Sequence, residues 1–126
     1  MSELATVDVQ ELGHGVVVAR IVGDLDLSNL HAIHAALVDA MPNDARGLVM
    51  DLTGVTFLDS SGVETLFRLQ RSLSVRQQRF AVAIPPDAPI HRALELSGAG
   101  GELALHGIVD EAVAAMGADP PQEPAA

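Results

Sequence analysis

The chain contains no cysteine, no tryptophan and no tyrosine. Without cysteine there is no disulfide, no thiol nucleophile and no thiolate-ligated zinc or iron–sulfur centre. The aromatic side chains are three phenylalanines, Phe57, Phe67 and Phe80, which give no platform for stacking bases or sugars. Lysine is also missing. The seven cationic residues are all arginine and face 17 acidic ones, for a net charge of −10 with His neutral. An acidic surface repels phosphate backbones and anionic lipid, so nucleic-acid binding and direct membrane docking are disfavoured. A protein partner with a basic or mixed face is easier to accommodate. No long apolar run suggests a membrane span, and Met1–Glu11 lacks the basic-then-apolar order of a signal peptide. The expectation is a soluble, cytoplasmic protein.

What is present is aliphatic. Apolar residues make up 48% of 126 positions, enough for one core of Val, Leu, Ile and Ala and too short for two. Leu4–Leu12 alternates as a half-exposed strand would, and Gly15–Val22 is a β-branched run that suits a buried one. Gly23-Asp24-Leu25-Asp26 is expected to break that strand. Leu30, Ile33, Leu37, Val38 and Met41 follow at helical spacing, with Asp26 or Ser28 as cap and Pro42 as terminator. Gly47–Leu52 reads as an internal parallel strand, and Thr53–Leu58 as a loop whose Val55, Phe57 and Leu58 pack beneath the next segment.

Helical spacing returns over Ser61–Leu73, then a strand over Phe80–Ile84. A short helix over Ala88–Leu96 carries Pro89 in its first turn and stops at Gly98. Leu103–Leu105 is a short strand and Ile108–Met116 a last helix. Ala118–Ala126 holds three prolines and no periodicity, which predicts a flexible tail after a domain spanning residues 1–117. The order β-β-α-β-α-β-α-β-α implies an α/β fold with a mixed, mainly parallel sheet of about five strands and about four helices, joined by right-handed crossovers. The place of the first strand in the sheet stays open.

The segment richest in chemistry is Phe57-Leu58-Asp59-Ser60-Ser61-Gly62-Val63-Glu64, between a buried strand and a helix, where open α/β sheets place functional loops. Ser61 and Glu64 have capping-box spacing, which would occupy the Ser61 hydroxyl and leave Ser60 freer, just before the helix. The helix N-terminus beside it tolerates a phosphate well. On composition alone, the better reading is that Asp59, Ser60 and Ser61 are alternative caps and turn formers, since Ser and Asp crowd helix starts everywhere.

From Val7 to about Met116 the chain resembles a STAS domain of the kind found in bacterial anti-sigma factor antagonists. The resemblance rests on Gly23-Asp24-Leu25-Asp26, Leu52-Thr53-Gly54-Val55, Asp59-Ser60-Ser61-Gly62 and Leu94-Glu95-Leu96-Ser97-Gly98, in that order and at these intervals. It implies phosphorylation of Ser60 by a partner that is both anti-sigma factor and serine kinase. The unmodified antagonist binds that partner and frees a sigma factor; a metal-dependent serine phosphatase reverses the modification. The partner-binding residues implied are Asp24, Asp26, Asp59, Ser60, Ser61 and Gly62. Two departures stand out: Val63-Glu64 replaces the usual Leu and small residue, and Ala99-Gly100-Gly101 replaces an apolar continuation. Glu64 can complete the capping box and pair with Arg68, or can oppose phosphorylation at Ser60. The alternative is therefore a non-phosphorylated STAS scaffold subunit of a signalling or lipid-transporter complex.

Other signals are weaker. His31 and His34 lie one helical turn apart, without a third ligand at supporting spacing for a metal. Arg68, Arg71, Arg76 and Arg79 read as a solvated face. No Gly-x-Ser-x-Gly elbow and no Walker loop occurs, so neither catalysis nor a cofactor is expected.

Overall fold

Two runs rich in Val, Ile and Leu form the middle of the sheet because their branched side chains pack well on a pleated surface. The computed structural model describes residues 5–12, 15–25, 27–96 and 103–117. Its elements are β1 (Ala5–Glu11), β2 (Val16–Leu25), α1 (Leu27–Ala40), β3 (Gly47–Leu58), α2 (Ser60–Val75), β4 (Arg79–Ala83), α3 (Pro89–Leu96), β5 (Ala104–His106) and α4 (Val109–Gly117). The five strands lie in sequential order β1-β2-β3-β4-β5. β1 pairs antiparallel with β2 at the edge, which settles the position left open by the sequence, and the other pairings are parallel.

Alternate strand residues divide the sheet into two faces. Val17, Ala19 and Ile21 of β2, Leu48, Met50 and Leu52 of β3, and Phe80 and Val82 of β4 point to one face. There they meet Leu30, Ile33 and Leu37 of α1, Leu66, Leu69 and Leu73 of α2, and Ile90 and Leu94 of α3. Each such aliphatic side chain removed from water contributes about 1.5–3 kcal/mol. Val16, Val49, Ala81 and Ala83 point the other way, against Ala112 and Met116 of α4. Gly47 is required at this second contact, because a Cβ there would lie 2.6 Å from the Arg79 carbonyl oxygen and 2.9 Å from Met116 Sδ.

Three sequence expectations are corrected. β2 does not break at Gly23 but continues to Leu25, and Thr53–Leu58 is not a loop but the second half of β3. The two strands stay paired to Leu25↔Leu58 through register shifts at Arg20/Val22 and Gly23/Asp24. Each shift sets one extra β3 residue against β2, so twelve residues of β3 match ten of β2. Local chemistry supports both bulges. Asp51 Oδ1 accepts from the Thr53 backbone N–H at 3.0 Å and from the Thr53 hydroxyl at 2.6 Å, folding the chain at the first. Gly23, with φ of 116°, occupies the left-handed region at the second. Third, Val55 and Leu58 are buried as expected, but Phe57 leaves 48% of its surface in water. The bulges turn it, with Asp24 opposite, away from the helices.

The remaining boundaries differ from expectation by a residue or two, including the start of α2, which lies at Ser60. The expected stop at Gly98, the loop Ala99-Gly100-Gly101 and the tail lie outside the described residues.

Candidate functional site

The carboxyl ends of β2 and β3 lie side by side, and the first turn of α2 begins one residue beyond β3. Asp59 is the sole residue between them. Its backbone is extended (φ −99°, ψ −174°), and its carboxylate Oδ1 accepts from the Gly62 N–H at 3.0 Å. Asp59 is therefore the N-cap, in place of Ser61. The expected capping box does not form: Glu64 reaches outward to Arg68 at 3.8 Å, with both side chains more than half exposed. The correction moves Ser60 inside the helix as its first residue, where its side chain is exposed.

Gly62 is buried at the junction. A Cβ there would overlap Leu58 Cδ1 and sit 3.1 Å from Leu58 Cγ and 3.8 Å from the Leu25 carbonyl oxygen. The absent side chain lets the first turn of α2 settle onto the ends of both strands. Asp24, half-buried, accepts from the Thr56 hydroxyl at 2.6 Å through Oδ1, and its backbone carbonyl accepts from Asn29 Nδ2 at 3.0 Å. The structure thus assembles Asp24, Asp59, Ser60, Ser61 and Gly62 at one end of the sheet. Asp26 lies outside the described residues, and Ser28 falls within α1 rather than at its cap.

The site holds negative side chains around an exposed hydroxyl at the positive end of a sixteen-residue helix. Among the described residues, no hydrogen bond joins Ser60 to an imidazole or a carboxylate that could activate it, and no group of three His, Asp or Glu could hold a metal ion.

Sequence reasoning missed the groove beside this end, of about 230 Å³ between α1 and α2, bordered by His31, His34, Ser61, Glu64, Thr65 and Arg68. His34 Nε2 is buried there without a hydrogen-bond partner. Burial, then the nearby Arg68 charge, then His31, hold its pKa below the ordinary imidazole value. The i, i+3 spacing of the two histidines was visible; the helix facing them was not.

This arrangement of five-stranded mixed sheet and helices defines a small α/β domain. A family profile described as "Mlab, STAS domain" matches residues 7–115, and the chain belongs to the STAS-domain family. No protein of curated function matches the sequence. Among solved structures, the chain is similar to an anti-sigma factor antagonist from Mycobacterium paratuberculosis at 27% identity, with 89% of this chain and 93% of that one covered and a TM-score of 0.78. It shares the fold of the anti-sigma factor antagonist SpoIIAA in its unphosphorylated form (21% identity, 87% and 95% covered, TM-score 0.71). A sulfate transporter family protein from Wolinella succinogenes has the same fold at 18% identity (85% and 88% covered, TM-score 0.72).

Proposed function

We propose that the protein is an anti-sigma factor antagonist that works by partner switching. Unmodified, it docks its acidic helix-start surface, Asp24, Asp59, Ser60, Ser61 and Gly62, together with Asp26 of the expected partner-binding set, on an anti-sigma factor that is also a serine kinase, and so frees a sigma factor. Phosphorylation of Ser60 ends the binding, and a serine phosphatase restores it. The observation that carries this reading is the exposed Ser60 hydroxyl at the first position of α2, next to the capping Asp59. The 27% identity to an anti-sigma factor antagonist supports it.

A phosphoryl group there adds about −1.5 to −2 charges at neutral pH. It would sit one residue from Asp59 and one helical turn from Glu64. Docking must strip water from that charge, which is costly against an apolar or acidic surface. Each ~1.4 kcal/mol of clash weakens binding tenfold. The helix N-terminus accepts the phosphate without rearrangement, so the switch acts by exclusion and leaves the backbone in place.

Incubation with the cognate kinase, ATP and Mg²⁺ should place phosphate on Ser60, and Ser60→Ala should abolish labelling. Ser60→Asp should weaken kinase binding at least tenfold while the midpoint of thermal unfolding stays within a few degrees. Labelling that survives Ser60→Ala, or kinase affinity unchanged by Ser60→Asp, would overturn the proposal.

A further inference from the structure

Among the described residues, the face of the sheet opposite α1–α3 is only partly covered. α4 rests on Val16, Val49, Ala81 and Ala83, toward the amino ends of the central strands. Beyond Arg20 nothing among the described residues lies over it: Thr6 and Val22, paired across β1 and β2, are both exposed. Val22 leaves 42% of its surface in water and Phe57 48%. Register places these two on the same side of the sheet. Val22 pairs with Gly54 and Asp24 with Phe57, and Val22 and Asp24 are two residues apart on β2. Val22 Cγ2 would stand 3.0 Å from a Cβ on Gly54, so the missing side chain lets Val22 lie low across the neighbouring strand.

Phe57 is the anomaly on this face. Of the three aromatic residues, Phe80 is buried and Phe67 packs against the core, while Phe57 stays half in water three positions before Ser60. Its neighbour Thr56 is fixed by the hydrogen bond to Asp24, so the strand end that carries it is held at both sides of the bulge. An aromatic ring on a rigid strand loses little freedom on binding and buries a large area, which is why such residues dominate interfaces.

We propose that the uncovered corner around Val22 and Phe57 is a docking surface for a protein partner that presents an apolar pocket bordered by basic side chains. Charge selects this occupant. The chain carries −10, and Asp24 borders the corner beside the acidic helix start. Arg20 at the lower margin is flanked in register by Asp8 and Asp51. A second copy of the chain, or an anionic membrane, would set like charge against like across the contact. The corner is continuous with the Ser60 surface through Phe57-Leu58-Asp59. The inference rests on the partner-switching reading and extends its contact surface onto the outer face of the sheet, with Phe57 as anchor.

The test uses the full chain and the kinase that labels Ser60, with affinity measured by calorimetry. Phe57→Ala should weaken binding roughly thirtyfold or more, and Val22→Thr, nearly isosteric, by a smaller factor. Both variants should unfold within a few degrees of the parent, because both side chains are half exposed. Binding should also weaken as salt rises. If Phe57→Ala binds within twofold of the parent while Ser60→Asp does not bind, this surface is wrong and the Ser60 switch stands. If no kinase binds, both fall. Should sedimentation show a micromolar dimer that Phe57→Ala dissolves, the occupant is a second copy and the proposal is overturned.

Discussion

Asp59 takes the cap that the sequence offered to three adjacent residues. Ser61 and Glu64 have the right spacing for a capping box, but β3 runs to Leu58 and leaves a single extended residue before the helix. The winner is set by where the strand ends, and the strand's length depends on bulges that no local motif announces. Asp59→Ala should cost about 0.5–2 kcal/mol in urea unfolding, whereas Ser61→Ala, which removes no cap, should cost far less. Gly62 gives a sharper test of the same junction. Gly62→Ala would drive a methyl group into Leu58, and overpacking of this kind costs about 1–3 kcal/mol. The residues that gather at this end of the sheet were thus legible as one cluster. Their division of labour was not, because it follows from contacts with β2 and Leu58 far from the motif in sequence or hidden beneath it.

Among the elements, the long central strands were the least legible. The Gly23 segment reads as a breaker and Thr53–Leu58, which holds Gly54, as a loop, since glycine in a strand signals a turn as readily as a bulge. The backbone uses Gly23 at positive φ to keep pairing, and Gly54 to admit Val22. Helices fared better because a 3.6-residue period survives such local irregularity: α1, α2 and α4 lie where their apolar spacing placed them, and α3 opens on Pro89. At the opposite end from the site, the α2–β4 turn clasps the loop after α1. Arg76 donates to the Met41 carbonyl and to Asn43 Oδ1, both at 3.1 Å. The buried Gln78 side-chain amide donates to the carbonyls of Pro42 at 2.8 Å and Ala45 at 3.2 Å. Gln78→Ala removes the donor to the buried Ala45 carbonyl, whereas the Pro42 carbonyl keeps the Ala45 N–H at 3.1 Å, and should destabilise the protein by about 1–3 kcal/mol, read as a lower thermal midpoint with Ser60 labelling unchanged.

For the molecule as a whole, composition foretold an acidic, aliphatic domain without the residues for thiol or zinc-thiolate chemistry, and the order of strand and helix segments foretold its α/β class. It could not foretell how the faces are shared: among the described residues, α1–α3 fill one side of the sheet and the short α4 only part of the other. Packing α1 against α2 also creates the His34 environment, which gives stability a pH dependence. The pKa of His34 in the fold lies below its ordinary value of 6.5. Between those two values the unfolded chain binds the extra proton, so stability is full above 6.5 and falls as pH drops through that window. Besides burial, Arg68 from α2 and His31 from α1 act on this ring, while Glu64 on the groove's border pairs outward with Arg68. Urea midpoints measured from pH 7.5 down to 5 should decline, and His34→Gln should flatten the slope. A steeper slope in that variant would show that another group governs the response.

Starting α2 at Ser60 has one more effect. The opening turn of a helix offers amide hydrogens that lack acceptors, and an anion placed there supplies them. A protein marked at this position would resist heat and proteases as well as its unmarked twin does. Under the proposed switch, the silenced form would then persist as a reserve, ready to return to service when the mark is removed, instead of being cleared and made again.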